Sequence, residues 1–474
     1  MTSDTASTPL FVVVGNVNQG KSSVVAALSE NEAIPIDSYP GTTKHAGTYV
    51  FKSADRELFR IVDTPGFQRP RQLLAWLQAR TQSAADRPGA VREFVETMAD
   101  GGEFHDEVEL LKPLLEGAGI LYVVDASSHL EPSNEAEMEI LRWTGQPAMA
   151  LINRVRDRDH ADEWRPTLRQ FFHIVREFDA HRACFEDRVA LLRGFREIRA
   201  EWSAAIDTAV AAMESEWRAR RKRSAAVIAD LMCKALAHVE HRALAEGVDE
   251  SAVSVELEDA YKAAQRKLEV AARDEVERVF RHPGLERDDP SVELLREDLF
   301  SETVWKAFGL TRTQLLKYGA GWGAAIGAGI DLAVGGLSFF TGTLIGAGIG
   351  AAAGWWGGQH VARVWPSSSK LARTLLPFET GRFVAIGPVT SPRYAWVLLD
   401  RALVHCLAVR DRSHARRDAL ELAKTGVVAD LSKERRDALD RAMRDVLAGI
   451  AKGQASELDV ARLETAIVNV LTDR

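Results

Sequence analysis

Apolar positions fall into distinct regimes along the chain. From about residue 10 to 180, short unbroken apolar runs alternate with stretches of helical period. LFVVVG, Leu10 to Gly15, is a continuous apolar run closed by glycine, the pattern of a strand covered on both faces. A helix is expected from Lys21 to Leu28, and GTYVF and ELFRIVD flank SADR as a hairpin-like pair. ILYVVD (Ile120 to Asp125) and AMALIN (Ala148 to Asn153) read as two more buried strands with the helical NEAEMEILRW between them, and FFHIVREFDA supplies a last strand. This alternation predicts an α/β fold with a doubly wound, mostly parallel sheet. The polar stretch from Phe67 to about Leu115 reads as an insertion or mobile region after the third strand.

From about Arg182 to Phe308 the period is helical and strand signal is nearly absent, so long helices are expected. After Trp365 the chain predicts a short hairpin around RFVAIGPVTSPRYAWVLL and then amphipathic helices. The expected division is therefore residues 1–180, 181–317, 318–358 and 359–474, with the insertion at about 67–115 inside the first.

Residues 318–358 differ from everything around them. Leu332 to Trp356 carries no charge, and the approach from Tyr318 is broken only by Asp331. Gly319, Gly323 and Gly327 recur at every fourth position, and Gly342, Gly346, Gly350, Gly354 and Gly358 repeat that spacing. Glycine costs a helix about 1 kcal/mol relative to alanine, so the stripe calls for close backbone packing. The expectation is a glycine-rich apolar helical hairpin, a glycine zipper turning between Gly335 and Gly342. Each arm has about 18 to 22 residues, near the length that spans a hydrocarbon core. Trp322, Trp355 and Trp356 lie near its outer ends, with Lys317 before it and Arg363 after it, as in a hairpin with both ends at the cytoplasmic side. Asp331 opposes simple insertion. Membrane contact and burial among the protein's own helices, or in an oligomer, both remain open.

Composition narrows the class. With 474 residues, 46% hydrophobic and 27% charged, the chain is globular and long enough for several domains. A net charge of −8 argues against a general nucleic-acid binder. The basic cluster WRARRKRS, Trp217 to Ser224, reads as a solvated helix face, with anionic lipid or RNA as the other readings. Three widely spaced cysteines make neither a disulfide framework nor a zinc site and fit the cytoplasm. The N-terminus has no secretory leader pattern. The expected location is cytoplasmic, peripheral to or inserted at the cytoplasmic face of the inner membrane.

GNVNQGKS, Gly15 to Ser22, satisfies G-x-x-x-x-G-K-[ST] between a predicted strand and a predicted helix. Gly15, Asn16, Val17, Asn18, Gln19, Gly20, Lys21, Ser22 and Ser23 then surround a nucleotide's phosphates. Lys21 reaches the β and γ oxygens and Ser22 binds Mg²⁺. DTPG, Asp63 to Gly66, ends a strand, so Asp63 is expected at Mg²⁺ and the Gly66 N–H at the γ-phosphate. GTTKH, Gly41 to His45, lies where a switch loop must give a threonine hydroxyl to Mg²⁺, and Thr43 is preferred to Thr42.

GNVNQGKS, PGTT, DTPG and ILYVVDAS together resemble the Era/TrmE-like class of small GTPases over roughly the first 180 residues. The second half is similar to a bacterial GTPase family whose C-terminal domain has no assigned function. The resemblance implies a Ras-like fold binding GTP and GDP with Mg²⁺. Phe67 stands where Ras-like proteins carry the glutamine that orients water, and a phenyl ring cannot do so. Asn18 stands where potassium-stimulated members have asparagine, which implies K⁺ beside the phosphates. Hydrolysis is then expected to be slow without K⁺, dimerisation or a partner. Guanine recognition normally uses N-K-x-D, but here the chain reads INRVRD: Asn153 and Arg154 fit, Arg156 occupies the aspartate position, and Asp157 comes one residue late. Either the loop bulges to bring Asp157 to the base or recognition is degenerate, and ATP stays open. Asp179 and Ala180 are placed in the loop backing the base. Many relatives of such a domain work in ribosome assembly, but GWWG, Gly354 to Gly357, lacks the basic surroundings of an RNA-binding KH loop.

Overall fold

The computed structural model describes residues 8–16, 19–31, 47–53, 56–99, 102–153, 160–245, 247–285, 363–366, 382–389, 392–420, 422 and 426–472. They form two compact units, Met1–Trp217 with Asp411–Arg417, and Arg218–Arg410 with Asp418–Arg474.

The first unit is built on six strands: β1 (Leu10–Val14), β2 (Gly47–Ser53), β3 (Arg56–Asp63), β4 (Gly119–Asp125), β5 (Ala148–Asn153) and β6 (Ile174–Glu177). Their order is β2-β3-β1-β4-β5-β6, with β2 antiparallel to β3 and the other pairings parallel. Register sets where function can sit. Val13 lies opposite Asp63, so the loops leaving β1 and β3 emerge together, and Asp125 lies opposite Asn153 at the ends of β4 and β5.

Strand alternation divides the core. Val12, Val14, Val62, Ile120, Tyr122, Val124, Ala150 and Ile152 pack with Leu73 and Leu77 of α2 (Pro70–Gln78) and Val91 and Phe94 of α3 (Arg87–Thr97). The same cluster takes in Leu110, Leu111 and Leu114 of α4 (His105–Leu115), Met138 and Leu141 of α5 (Pro132–Trp143), and Trp164 and Leu168 of α6 (Ala161–Phe171). The odd positions of β1 point the other way. Phe11 stacks on Phe195 of α7 (Phe185–Ile198) at 4.0 Å and meets Trp202 edge-on at 4.9 Å. Gly119 is needed beneath that ring, because a Cβ there would lie 2.8 Å from Trp202. The remaining helix, α1 (Lys21–Ser29), follows the loop after β1.

Three readings of the sequence are corrected. Residues 67–115, read as an insertion or mobile region, carry α2, α3 and α4, whose apolar residues lie on one buried face. The stretch where strand signal is nearly absent contains β7 (Glu240–Leu244) between its long helices, and RFVAIGPVTSPRYAWVLL is not a hairpin. Its first part is β9 (Arg382–Ile386), while from Pro392 it is the helix α10 (Pro392–Arg410). β9 lies between β7 and β8 (Arg363–Pro366), antiparallel to both.

The 35-residue helix α8 (Ser203–Ala237) contains the division between units. In its basic cluster Arg218, Lys222 and Arg223 are exposed, whereas Arg220 and Ser224 are buried. The second unit continues with α9 (Glu250–Val279), α10, α11 (Lys433–Ala451) and α12 (Glu457–Leu471). A buried polar ladder joins α9 to α10: Tyr394 donates to Gln265 at 3.1 Å, Arg401 to Glu269 at 3.2 Å, and His405 lies 3.0 Å from Glu277. The hairpin expected at residues 318–358 lies outside the described residues. Among those described, no helix is long and apolar enough to cross a membrane.

Candidate functional site

The loop after β1 turns at Gly15, where φ is +149° and a Cβ would lie 2.3 Å from the Val123 carbonyl oxygen. Only glycine lets the chain leave the strand so close to β4. Gly20, also left-handed at φ +80°, opens α1. Lys21 therefore sits in the first turn of a helix, buried, with its ammonium donating to the Asn16 carbonyl at 2.8 Å. Burial pulls its pKa down, while Asp63, Glu137 and Asp106 pull it back up. Ser22 Oγ donates to Asp63 Oδ2 at 2.8 Å, so hydroxyl and carboxylate stand side by side at the helix start. The next residue, Ser23, is buried in the same turn.

DTPG is fixed to β1 as well as following β3: Thr64 Oγ1 donates to the Val13 carbonyl at 2.8 Å, and Asn16 and Phe67 pair as a parallel bridge. Phe67 is buried, and its ring belongs to the sheet core. The segment just beyond it is held from the helical insertion. Glu107 of α4, fully buried, accepts from the backbone N–H of Gln68 at 2.9 Å and of Arg69 at 2.6 Å, capping α2. Glu107→Ala leaves two N–H groups without that acceptor, and chemical denaturation should show a loss of about 1–3 kcal/mol.

At the other end of the loop, the Asp125 N–H donates to Gln19 Oε1. Asn153, fully buried, reaches across with Nδ2 3.4 Å from the Gln19 carbonyl and Oδ1 accepting from the Ala180 N–H at 3.1 Å. Asp179 folds on itself, accepting from the His181 and Arg182 N–H groups at 3.0 and 3.2 Å. A third partner comes from far along the chain: Ser413 Oγ donates to the Ala180 carbonyl at 2.6 Å. The loop after β1, the end of β5 and the turn after β6 are thus linked through one buried asparagine. Of the other expected site residues, Gly66 follows Asp63 in DTPG, whereas Val17, Asn18, Thr43, Arg154 and Asp157 lie outside the described residues.

Sequence reading missed the polar layer beneath this loop. Tyr122 donates to Glu137 at 2.9 Å inside the core, and burial raises the Glu137 pKa to about 7. The available signal was a carboxylate on the apolar face of α5, four residues before Leu141. Because the folded-state value lies above the ordinary 4.5, the native chain holds the extra proton. This contribution is complete below pH 4.5 and fades as pH rises toward 7. Urea melts of the wild type should lose stability over that window, and Glu137→Gln should flatten the slope.

This sheet order, the lysine in the first turn of α1 and the Ser22–Asp63 pair are those of a P-loop GTPase domain at the N-terminus. Residues 10–154 match a family profile described as 50S ribosome-binding GTPase, and residues 165–466 match a domain of unknown function, DUF3482. The chain belongs to this DUF3482 family.

GTPase Der from Mycoplasmoides gallisepticum is 31% identical over 102 residues, covering 21% of this chain and 22% of that protein. GTPase Der from Syntrophotalea carbinolica is 28% identical over 151 residues, 32% of this chain and 28% of its own. A probable translation initiation factor IF-2 from Halorubrum lacusprofundi is 29% identical over 168 residues, 34% and 23% of the two chains. The match thus spans less than a third of each relative. Among solved structures, Aquifex aeolicus Era bound to GDP and AlF4⁻ aligns at 14% identity and TM-score 0.28, over 58% of this chain and 90% of that one. Era with MgGDPNP and a 16S ribosomal RNA fragment aligns at 14% identity and TM-score 0.29 with the same coverage.

Proposed function

We propose that the protein is a GTP-hydrolysing switch whose nucleotide state governs membrane contact or partner assembly through residues 318–358. The observation that carries the hydrolytic part is the convergence of Lys21, Ser22 and Asp63 at the start of α1, with Ser22 Oγ 2.8 Å from Asp63. Two hard oxygen donors side by side fit Mg²⁺, and Ser22, Asp63 and Thr43 would hold it. When bound, Mg²⁺ neutralises charge on the phosphates. The backbone from Gly15 to Ser23 cradles them, Lys21 adds positive charge, and Gly66 meets the γ-phosphate. Asn153, Arg154, Asp157, Asp179 and Ala180 form the base side, Asn153 acting as the tie between loops. Asn18 would hold K⁺, which would supply the positive charge an arginine finger otherwise gives.

In this reading the γ-phosphate orders the segments around Thr43 and Gly66, and hydrolysis releases them. Glu107 places α4 in direct contact with the residues after Phe67, so the insertion feels that change. The glycine-rich stretch meets the cytoplasmic face of the inner membrane, another copy of the chain or a protein partner. Flotation of the full chain with anionic liposomes, loaded with GDP or a non-hydrolysable GTP analogue, tests this beside a chain lacking 318–358. Hairpin-dependent, nucleotide-sensitive flotation is expected, and no flotation in either state defeats the membrane arm.

The match of residues 10–154 to 50S ribosome-binding GTPases favours a second reading, a ribosome-associated assembly GTPase. Co-sedimentation with purified ribosomal subunits, dependent on the GTP analogue, would establish it in place of the first.

A further inference from the structure

Among the described residues, a cluster of metal-ligating side chains lies across the loops neighbouring the phosphate loop. His129 follows β4, and His160 and Glu163 begin α6. His129 Nδ1 is 2.9 Å and His160 Nδ1 3.8 Å from the same Glu163 oxygen, Oε2, and the two imidazole rings lie 3.9 Å apart. One donor atom from each residue falls within 4.8 Å of the other two. Ligands about 2.0–2.2 Å from a tetrahedral Zn²⁺ stand roughly 3.3–3.6 Å from one another, so this spacing admits one ion with small side-chain shifts.

The backbone beneath is tied at every ligand. Trp164, fully buried, donates its indole N–H to the Ser128 carbonyl at 2.8 Å, fixing the residue before His129. The His160 N–H donates to the Ala126 carbonyl at 2.7 Å. The other Glu163 oxygen accepts from the Leu130 N–H at 3.2 Å, which aims Oε2 at the histidines. Such outer bonds orient metal ligands and raise their affinity. The His129 side chain is 73% exposed, so the ion has an entry path and room for a water as fourth ligand.

We propose that His129, His160 and Glu163 bind one borderline divalent transition ion of the Zn²⁺ class, distinct from the Mg²⁺ of the phosphate loop. Two imidazoles and one carboxylate select such an ion over Mg²⁺, which prefers oxygen and octahedral geometry. The ion acts as a clip. It joins the loop after β4 to the head of α6, on either side of Asn153, whose own carbonyl accepts from Ala126 at 2.7 Å. Its His160 ligand lies just beyond the stretch after Asn153 in which the sequence departs from N-K-x-D.

The test uses the full chain saturated with Mg²⁺ and GDP, titrated with Co²⁺ as a visible probe. One equivalent giving the intense absorption of four-coordinate Co²⁺, displaced by Zn²⁺ and not by excess Mg²⁺, is expected. His129→Gln, on an exposed side chain, and Glu163→Gln should each weaken Co²⁺ binding at least tenfold, while GDP affinity without Co²⁺ stays unchanged. Absence of the four-coordinate band, or a band that persists in both variants, overturns the site. Neither result bears on hydrolysis itself, which is read separately by phosphate release.

Discussion

Lys21→Ala is expected to lower GTP turnover by about 10²–10³-fold, because it removes one preorganised positive donor from the position where transferring phosphoryl charge is stabilised. In this structure the side chain is buried and already aimed inward, with its ammonium on the Asn16 carbonyl at 2.8 Å. It needs little rearrangement to meet phosphate oxygens, so the loss should fall mainly on kcat and on triphosphate affinity, with diphosphate affinity less affected. Single-turnover phosphate release and fluorescent-nucleotide binding separate the two. Lys21→Met keeps most of the volume of the side chain, and circular dichroism on it distinguishes lost chemistry from lost folding. Equal turnover in Lys21→Met and wild type would remove this lysine from the mechanism.

Phe11→Ala should be the most damaging core substitution in the first unit, at about 3–5 kcal/mol. Phe11 is fully buried on a central strand, stacked on Phe195 at 4.0 Å, edge-on to Trp202 at 4.9 Å and to Phe59 at 6.3 Å. Truncation opens a void between the sheet and the rings of Phe195 and Trp202, and Trp202 cannot settle further toward the sheet without pressing on Gly119 beneath it. For a unit of this size the thermal midpoint should fall by roughly 6–20 °C in calorimetry. A fall of only a degree or two would mean that Phe195 and Trp202 find other partners.

The central strands were legible because burial on both faces leaves an unbroken apolar run: Phe11 to Val14, Ile120 to Val124 and Met149 to Ile152 are all nearly inaccessible. The phosphate loop was legible because its glycines answer to local backbone demands, as Gly15 does against Val123. β7 was hidden for the opposite reason. EHRAL is partly exposed along its length, so its pattern carries no burial signal and its pairing with β9 comes from 138 or more residues downstream. The helices of 67–115 were obscured by charged and polar sequence such as QSAADRPGA, although Val91, Phe94, Leu110 and Leu114 still supply one apolar face. Base-side residues were only half legible. Asn153 stands at the end of an apolar strand and can be found there, but its bonds to Gln19 and Ala180 depend on three loops meeting.

Asp411–Arg417 belongs to the first unit although almost two hundred residues of the second precede it. With respect to connectivity, residues 218–410 are therefore an excursion from a unit to which the chain afterwards returns. On the ribosome the first unit cannot be completed when its six strands have emerged; it waits for the segment that carries Ser413, whose hydroxyl bonds the Ala180 carbonyl. Until then the Ala180 carbonyl lacks the Ser413 hydroxyl, and a fragment ending at Trp217 would keep that gap permanently. A shortened protein made to study nucleotide binding would report on a base-side loop that the whole chain never displays once finished.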